Sequence, residues 1–207
     1  MAFFAKPKAQ PVAIKAPQIE ELGSPAFASL VEILEGQPEQ KYHVLDLAAA
    51  SGNHIEFFSR FRCRYRVGDA LDSLSKLSMP EADEDALDFE QILPLDPLDK
   101  LDLVLAWDGL NYLSKDLLLL LSKHLLRQCK PGTWMHAFVY TRGDMAAKPN
   151  KFKILSSSTM IREADMNQVV GAPCYAQRIL EQVMPGFRTV QSRLLKNGLQ
   201  EYLFQVT

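Results

Sequence analysis

The chain has 207 residues, 47% of them hydrophobic and 23% charged, with a formal net charge of −2, which suits one globular domain with a substantial core. Its three cysteines, Cys63, Cys129 and Cys174, are far apart, odd in number and unmatched to any histidine at ligand spacing, so neither a disulfide framework nor a metal site is expected and a reducing, cytoplasmic compartment is. No window approaches the roughly 18 consecutive apolar residues of a membrane span.

The charge is unevenly spread. Residues 69–108 carry 2 basic and 12 acidic side chains, and residues 109–207 carry 13 and 6. So acidic a middle argues against duplex DNA and against any nucleic-acid binding driven by bulk charge, although RNA stays open. The basic last part suits a smaller anionic substrate or partner.

Residues 1–23 contain three lysines and three prolines before Ser24 and no continuous apolar core of signal-peptide length, and read as a flexible arm that could dock on a protein partner. Ser24-Pro25 opens a helix through Leu34, with Ser24 in the cap position and Phe27, Leu30, Val31 and Leu34 on one face. Tyr42 to Leu47 is a strand covered on both faces, a helix runs from about Asn53 to Phe61, and Arg64 to Val67 form a second strand. A helix is expected over 70–77, a short strand over 86–89 and a strong one over 101–107. Ser114 caps a helix that Pro131-Gly132 stops, and a strand follows over 134–141. Residues 142–172 are the least regular part. A helix over 175–183 then leads to two strands, about 189–195 and 200–206, and Asn197-Gly198 between them is a strong hairpin signal.

Strands alternating with helices, closed by a hairpin, give an α/β fold: a three-layer α/β/α sandwich with a mostly parallel, seven-stranded sheet and one antiparallel strand from the C-terminal hairpin, spanning residues 24–207. The stretch from His43 to Gly52, HVLDLAAASG, is an apolar strand ending in an acid, then a loop of small residues, then a helix start. This is how an α/β fold offers backbone N–H groups to a nucleotide-like ligand.

Five pieces in order resemble the class I S-adenosylmethionine-dependent methyltransferases, over about residues 24–207: VLDLAAASG (44–52), Gly68-Asp69, LDLVLAWDGLNYL (101–113), KPGTWMHAFVY (130–140) and GFRTVQSRLLKNGLQEYLFQV (186–206). The resemblance implies S-adenosylmethionine as cofactor. It makes Asp46 the acid of the first strand, puts Ala48, Ala50 and Gly52 at the three small positions, and sets Asp69 on the ribose hydroxyls. Asp88 and Phe89 fall where the adenine would lie, and Trp107 at the end of the fourth strand beside the cofactor. Alanine in place of glycine adds one methyl, so the loop suits a ligand only if φ is negative there.

On the substrate side, Asp108, Asn111 and Tyr112 follow the fourth strand. No Asn/Asp-Pro-Pro-aromatic signature, no Pro-Cys nucleophile and no lysine of a Lys-Asp-Lys-Glu set is present there, which leaves a small-molecule or protein acceptor. Asp108 is the candidate general base, or simply the cap of the turn after it. His54 is a base at the cleft or a surface histidine. Arg60, Arg62, Arg64 and Arg66 read as a solvated cluster, and Lys148, Lys151, Lys153 and Arg162 as selectors of an anionic substrate or as solubilising charges on a loop. The rival reading is a methyltransferase-like fold without catalysis, serving as a binding or regulatory module, motivated by the alanines and the missing catalytic signatures. A nicotinamide-dependent dehydrogenase fits poorly, because the loop lacks the G-x-G-x-x-G spacing.

Overall fold

A computed structural model describes residues 16–77, 89–95 and 100–207. In chain order the elements are β1 (Gln18–Gly23), α1 (Pro25–Glu35), β2 (Tyr42–Asp46), α2 (Gly52–Ser59), β3 (Cys63–Val67), α3 (Leu71–Leu77) and α4 (Phe89–Ile92). Then come β4 (Leu101–Trp107), a 3-10 turn (Gly109–Tyr112), α5 (Lys115–Leu126), β5 (Cys129–Tyr140), β6 (Asp144–Ala146), β7 (Lys151–Ile154), β8 (Thr159–Ala164), β9 (Val169–Gly171), α6 (Gln177–Val183), β10 (Phe187–Leu194) and β11 (Leu199–Val206).

The main sheet runs β10-β11-β5-β4-β2-β3, with β11 antiparallel to both neighbours and the other pairings parallel. The fold is the expected α/β class, but six strands rather than seven are in this sheet among the described residues. Of the strand expected over 86–89, residues 86–88 lie outside the described residues and Phe89 opens α4. Every residue of β4 is buried, as its apolar run requires of a central strand. On one face α1 buries Ala26, Phe27, Leu30, Val31 and Leu34, and each large apolar side chain so buried contributes about 1.5–3 kcal/mol.

The expected cap of α1 is corrected. Ser24 makes no side-chain cap bond; its hydroxyl donates instead to Glu201 of β11, whose carboxylate accepts the N–H groups of Ala26 (2.9 Å) and Phe27 (3.1 Å). A buried carboxylate satisfies those orphan donors better than a serine hydroxyl, because it brings charge to the positive end of the helix. Ser114, by contrast, caps α5 as expected, accepting from Leu117 N at 3.2 Å. Pro131-Gly132 sits inside β5, not before it. Pairing with β4 jumps from Leu101↔Cys129 to Leu103↔Trp134, a bulge that absorbs a residue without an N–H and a glycine at φ +90°.

Two segments expected to be irregular are strands. β1, within the expected arm, pairs antiparallel with β8, which pairs with β7, while β6 pairs with β9. The isolated strands are too short to persist alone; β1 orders by pairing with a strand far away in sequence, and β7 and β8 by a local hairpin. Among the described residues no helix is long and apolar enough to cross a membrane.

A candidate ligand-binding cleft

β2 delivers the chain into the loop 47–51 and then α2, and a cleft of about 540 Å³ opens over that loop. Ala48, Ala49, Ala50 and Ser51 form its floor, Asp69, Leu71 and Asp72 one wall, and residues 148–153 the other. The volume lies within the range of small-molecule sites. Among the described residues the non-glycine positions with positive φ are Asp69, Trp107 and Cys174, so Ala48 and Ala50 adopt negative φ and fit the loop without strain.

Asp46 is not a cleft residue. Its side chain is buried, and both oxygens are taken by protein donors: Oδ1 by Ala48 N (2.9 Å) and Trp107 Nε1 (2.5 Å), Oδ2 by His54 Nδ1 (2.8 Å) and the Tyr65 hydroxyl. Burial, then the Asp46 charge, pushes the Tyr65 hydroxyl well up, so it stays a donor. The acid therefore organises the loop from beneath.

His54 is buried rather than on the surface, and lines the cleft. Its second nitrogen, Nε2, lies 3.0 Å from Phe152 O, so both ring nitrogens face acceptor oxygens and neither is left to take a proton from a substrate. Its ring stacks on Trp107 at 4.6 Å, Trp107 stacks on Phe152 at 5.3 Å, and Phe152 stacks on Phe138 at 5.0 Å. Trp107 is thus wholly buried under the site, just past a bulge in the pairing of β4 with β5, and its φ is +48°.

Asp69 is exposed and lines the cleft, held by its N–H to Ala48 O at 3.2 Å. Gly52 begins α2, lines no part of the cleft, and a Cβ there would meet nothing within 4 Å. Gly68 is different, since a Cβ would come within 2.8 Å of Leu93 and 3.1 Å of Asp46 O. Phe89 packs on His124 at 5.8 Å between ring centres, away from the cleft, and Asp88 lies outside the described residues.

Asp108 is wholly buried and does not line the cleft. Nor does it cap the 3-10 turn with its side chain. Its Oδ2 accepts from Asn150 N (3.1 Å), Asn150 Nδ2 (2.7 Å) and, more distantly, the Tyr112 hydroxyl (3.4 Å). Burial pushes its carboxyl up to about 6, against the bonds from Asn150 and the Arg162 charge, which pull it down. Asn111 is structural: its Nδ2 donates to Asp108 O and Phe138 O, and its Oδ1 accepts from Tyr140 N.

Residues 148–153 were legible only as an irregular basic stretch. The alternation Lys151, Phe152, Lys153, Ile154 is the signal that marks β7, with Phe152 and Ile154 buried and both lysines exposed. Leu71, Asp72 and Asn150 join the site with no motif to announce them. Among the described residues no three of His, Cys, Asp and Glu converge to hold a metal ion.

No protein-family model and no curated protein matches the sequence. Solved structures do match in three dimensions. An S-adenosylmethionine-dependent methyltransferase from Clostridium acetobutylicum aligns over 87% of this chain and 90% of its own, with TM-score 0.53 and 14% identity. The pyocyanin biosynthetic protein PhzM aligns over 88% of this chain and 54% of its own, with TM-score 0.50 and 14% identity. On this likeness the chain has the fold of an S-adenosylmethionine-dependent methyltransferase.

Proposed function

We propose that the chain is an S-adenosylmethionine-dependent methyltransferase acting on a small-molecule acceptor that carries an anionic group. The observation that carries this reading is the cleft over the Ala48–Ser51 loop, walled by the Asp69 carboxylate on one side and by Lys148, Lys151 and Lys153 on the other. The residues present fit the cofactor in outline. The unstrained alanines leave the loop open, and Asp69 supplies an exposed acceptor for the ribose hydroxyls, while the backbone of residues 48–51 faces the rest of the molecule. The cofactor would supply an electrophilic methyl group, and the protein's part is to hold the acceptor in line with it. Lys153 lies 3.7 Å from Glu163, so Lys148 and Lys151 are the better candidates to receive an acidic group of the acceptor.

Isothermal titration of the purified protein with S-adenosylmethionine and S-adenosylhomocysteine tests the reading. Saturable heat with both is expected, and silence with both from folded protein removes it. A specific observation favours a second reading, a ligand-binding module without turnover: of the two expected bases, Asp108 sits behind Asn150 and His54 has both nitrogens engaged. Tight cofactor binding with no methyl transfer to any acidic acceptor would select it.

A further inference from the structure

The 148–153 wall of the cleft is pinned to the core at two places. At one, Asn53 Oδ1 accepts from Ile154 N at 2.6 Å and His54 bonds Phe152 O. At the other, Asp108 Oδ2 holds both N–H groups of Asn150, and the Tyr112 hydroxyl lies 2.8 Å from Lys148 O. The second pin is the unusual one, because Asp108 is wholly buried and its Oδ1 has no hydrogen-bond partner in the structure.

An ionised carboxylate shut away from water with one oxygen unserved is costly. Two events relieve it: the carboxylate takes a proton, or water reaches it. Asn150 both lines the cleft and bonds Asp108, so displacing Asn150 with the wall brings water to the carboxylate.

We propose that Asp108 is the positioning residue of this wall. Protonated, it favours the closed wall; ionised, it favours a wall that opens at Asn150, so access to the cleft is linked to pH.

The groups facing Asp108 are Tyr112 from the 3-10 turn, Tyr140 from β5, Asn150 from the wall and Arg162 from β8, which pairs with Glu20 of β1 at 3.3 Å. Burial pushes both tyrosines up, so of these three groups Asp108, at about 6, is the one that titrates in the range tested. The closed form binds the proton more tightly than a solvated carboxylate does. Raising the pH from the ordinary 3.8 toward about 6 therefore shifts the equilibrium toward opening, the shift levels off above 6, and the gap sets a ceiling of about 100-fold in the opening constant.

Hydrogen exchange of the amides over 148–154 tests this between pH 4 and 7, after correction for the intrinsic effect of pH on exchange. No ligand is needed, so the outcome is independent of the proposed methyltransferase activity. The opening constant at Asn150 should rise tenfold or more between pH 4 and 6 and level off above that, while amides of β4 do not follow. In Asp108→Asn the rise should vanish. In Asn150→Ala, which removes a bond that lowers the Asp108 pKa, it should extend to higher pH before levelling off. A pH-independent wall in the natural protein, or the same rise in Asp108→Asn, overturns the proposal; if Asp108→Asn does not fold, an unmoved profile in Asn150→Ala does so.

Discussion

Glu201 accepts a hydrogen bond from His136 Nε2 at 2.8 Å in the interior of the main sheet, with neither side chain exposed. The same carboxylate caps α1, so one buried charge joins β5, β11 and the first helix. Burial alone would raise the Glu201 carboxyl, but the bonds from His136, Ser24 and Ala26 together hold it below its ordinary 4.5.

Replacing Glu201 by Gln should therefore destabilise the fold by about 3–5 kcal/mol, the range for removing one partner of a buried pair, read as the urea midpoint. The sign in pH follows from the lowered carboxyl. Its contribution is present above the ordinary 4.5 and is lost as pH falls through the folded value, so the acid transition of the natural protein below about pH 4 should be steeper than that of Glu201→Gln.

Gly52 and Gly68 should behave oppositely. Gly52→Ala adds a methyl into open space at a negative φ and should leave thermal stability within about 0.5 kcal/mol, or raise it slightly. If S-adenosylhomocysteine lies against that backbone, its affinity falls in the same variant, which calorimetry reads directly. Gly68→Ala meets Leu93 and the backbone of Asp46, and should cost about 1–3 kcal/mol by overpacking.

Asp69 has φ +48°, a conformation that costs an ordinary residue about 1 kcal/mol or more and costs glycine little. Asp69→Gly should be at least as stable as the natural protein and Asp69→Ala less stable. Both should weaken S-adenosylhomocysteine binding about tenfold or more, the loss of a charged hydrogen-bonding partner. Equal affinity in either variant would remove Asp69 from the site.

Trp107→Phe keeps an aromatic ring between His54 and Phe152 but deletes the N–H that reaches Asp46. It should cost about 1–3 kcal/mol in chemical denaturation.

Lys148→Ala with Lys151→Ala should lower the affinity of an anionic acceptor and flatten its dependence on salt, leaving S-adenosylhomocysteine binding unchanged. Titrations at two ionic strengths would show it.

Much of the fold was legible because its main strands are local and strongly patterned. The 101–107 run is buried on every residue, and Asn197-Gly198 turns the hairpin with Gly198 at φ +85°. The site was legible only in part. Asp69, Ala48 and Ala50 line the cleft, yet Asp46, Trp107 and Asp108 are engaged elsewhere. The reason is that their partners, Tyr65, His54, Phe152 and Asn150, come from separate elements, and no local window couples them. His54 in particular shares the buried face of α2 with Phe58, but the strand that covers it lies about 100 residues on and no local window shows it.

The side sheet holds a consequence for assembly. Leu22 pairs with Met160, and β7, which carries the cleft's outer wall, hangs on β8. The β7–β8 hairpin is local, but seating it on β1 closes a loop of more than 100 residues, at a cost in loop entropy. In refolding, the side sheet that carries the cleft's outer wall should therefore gain its exchange protection after β4 does.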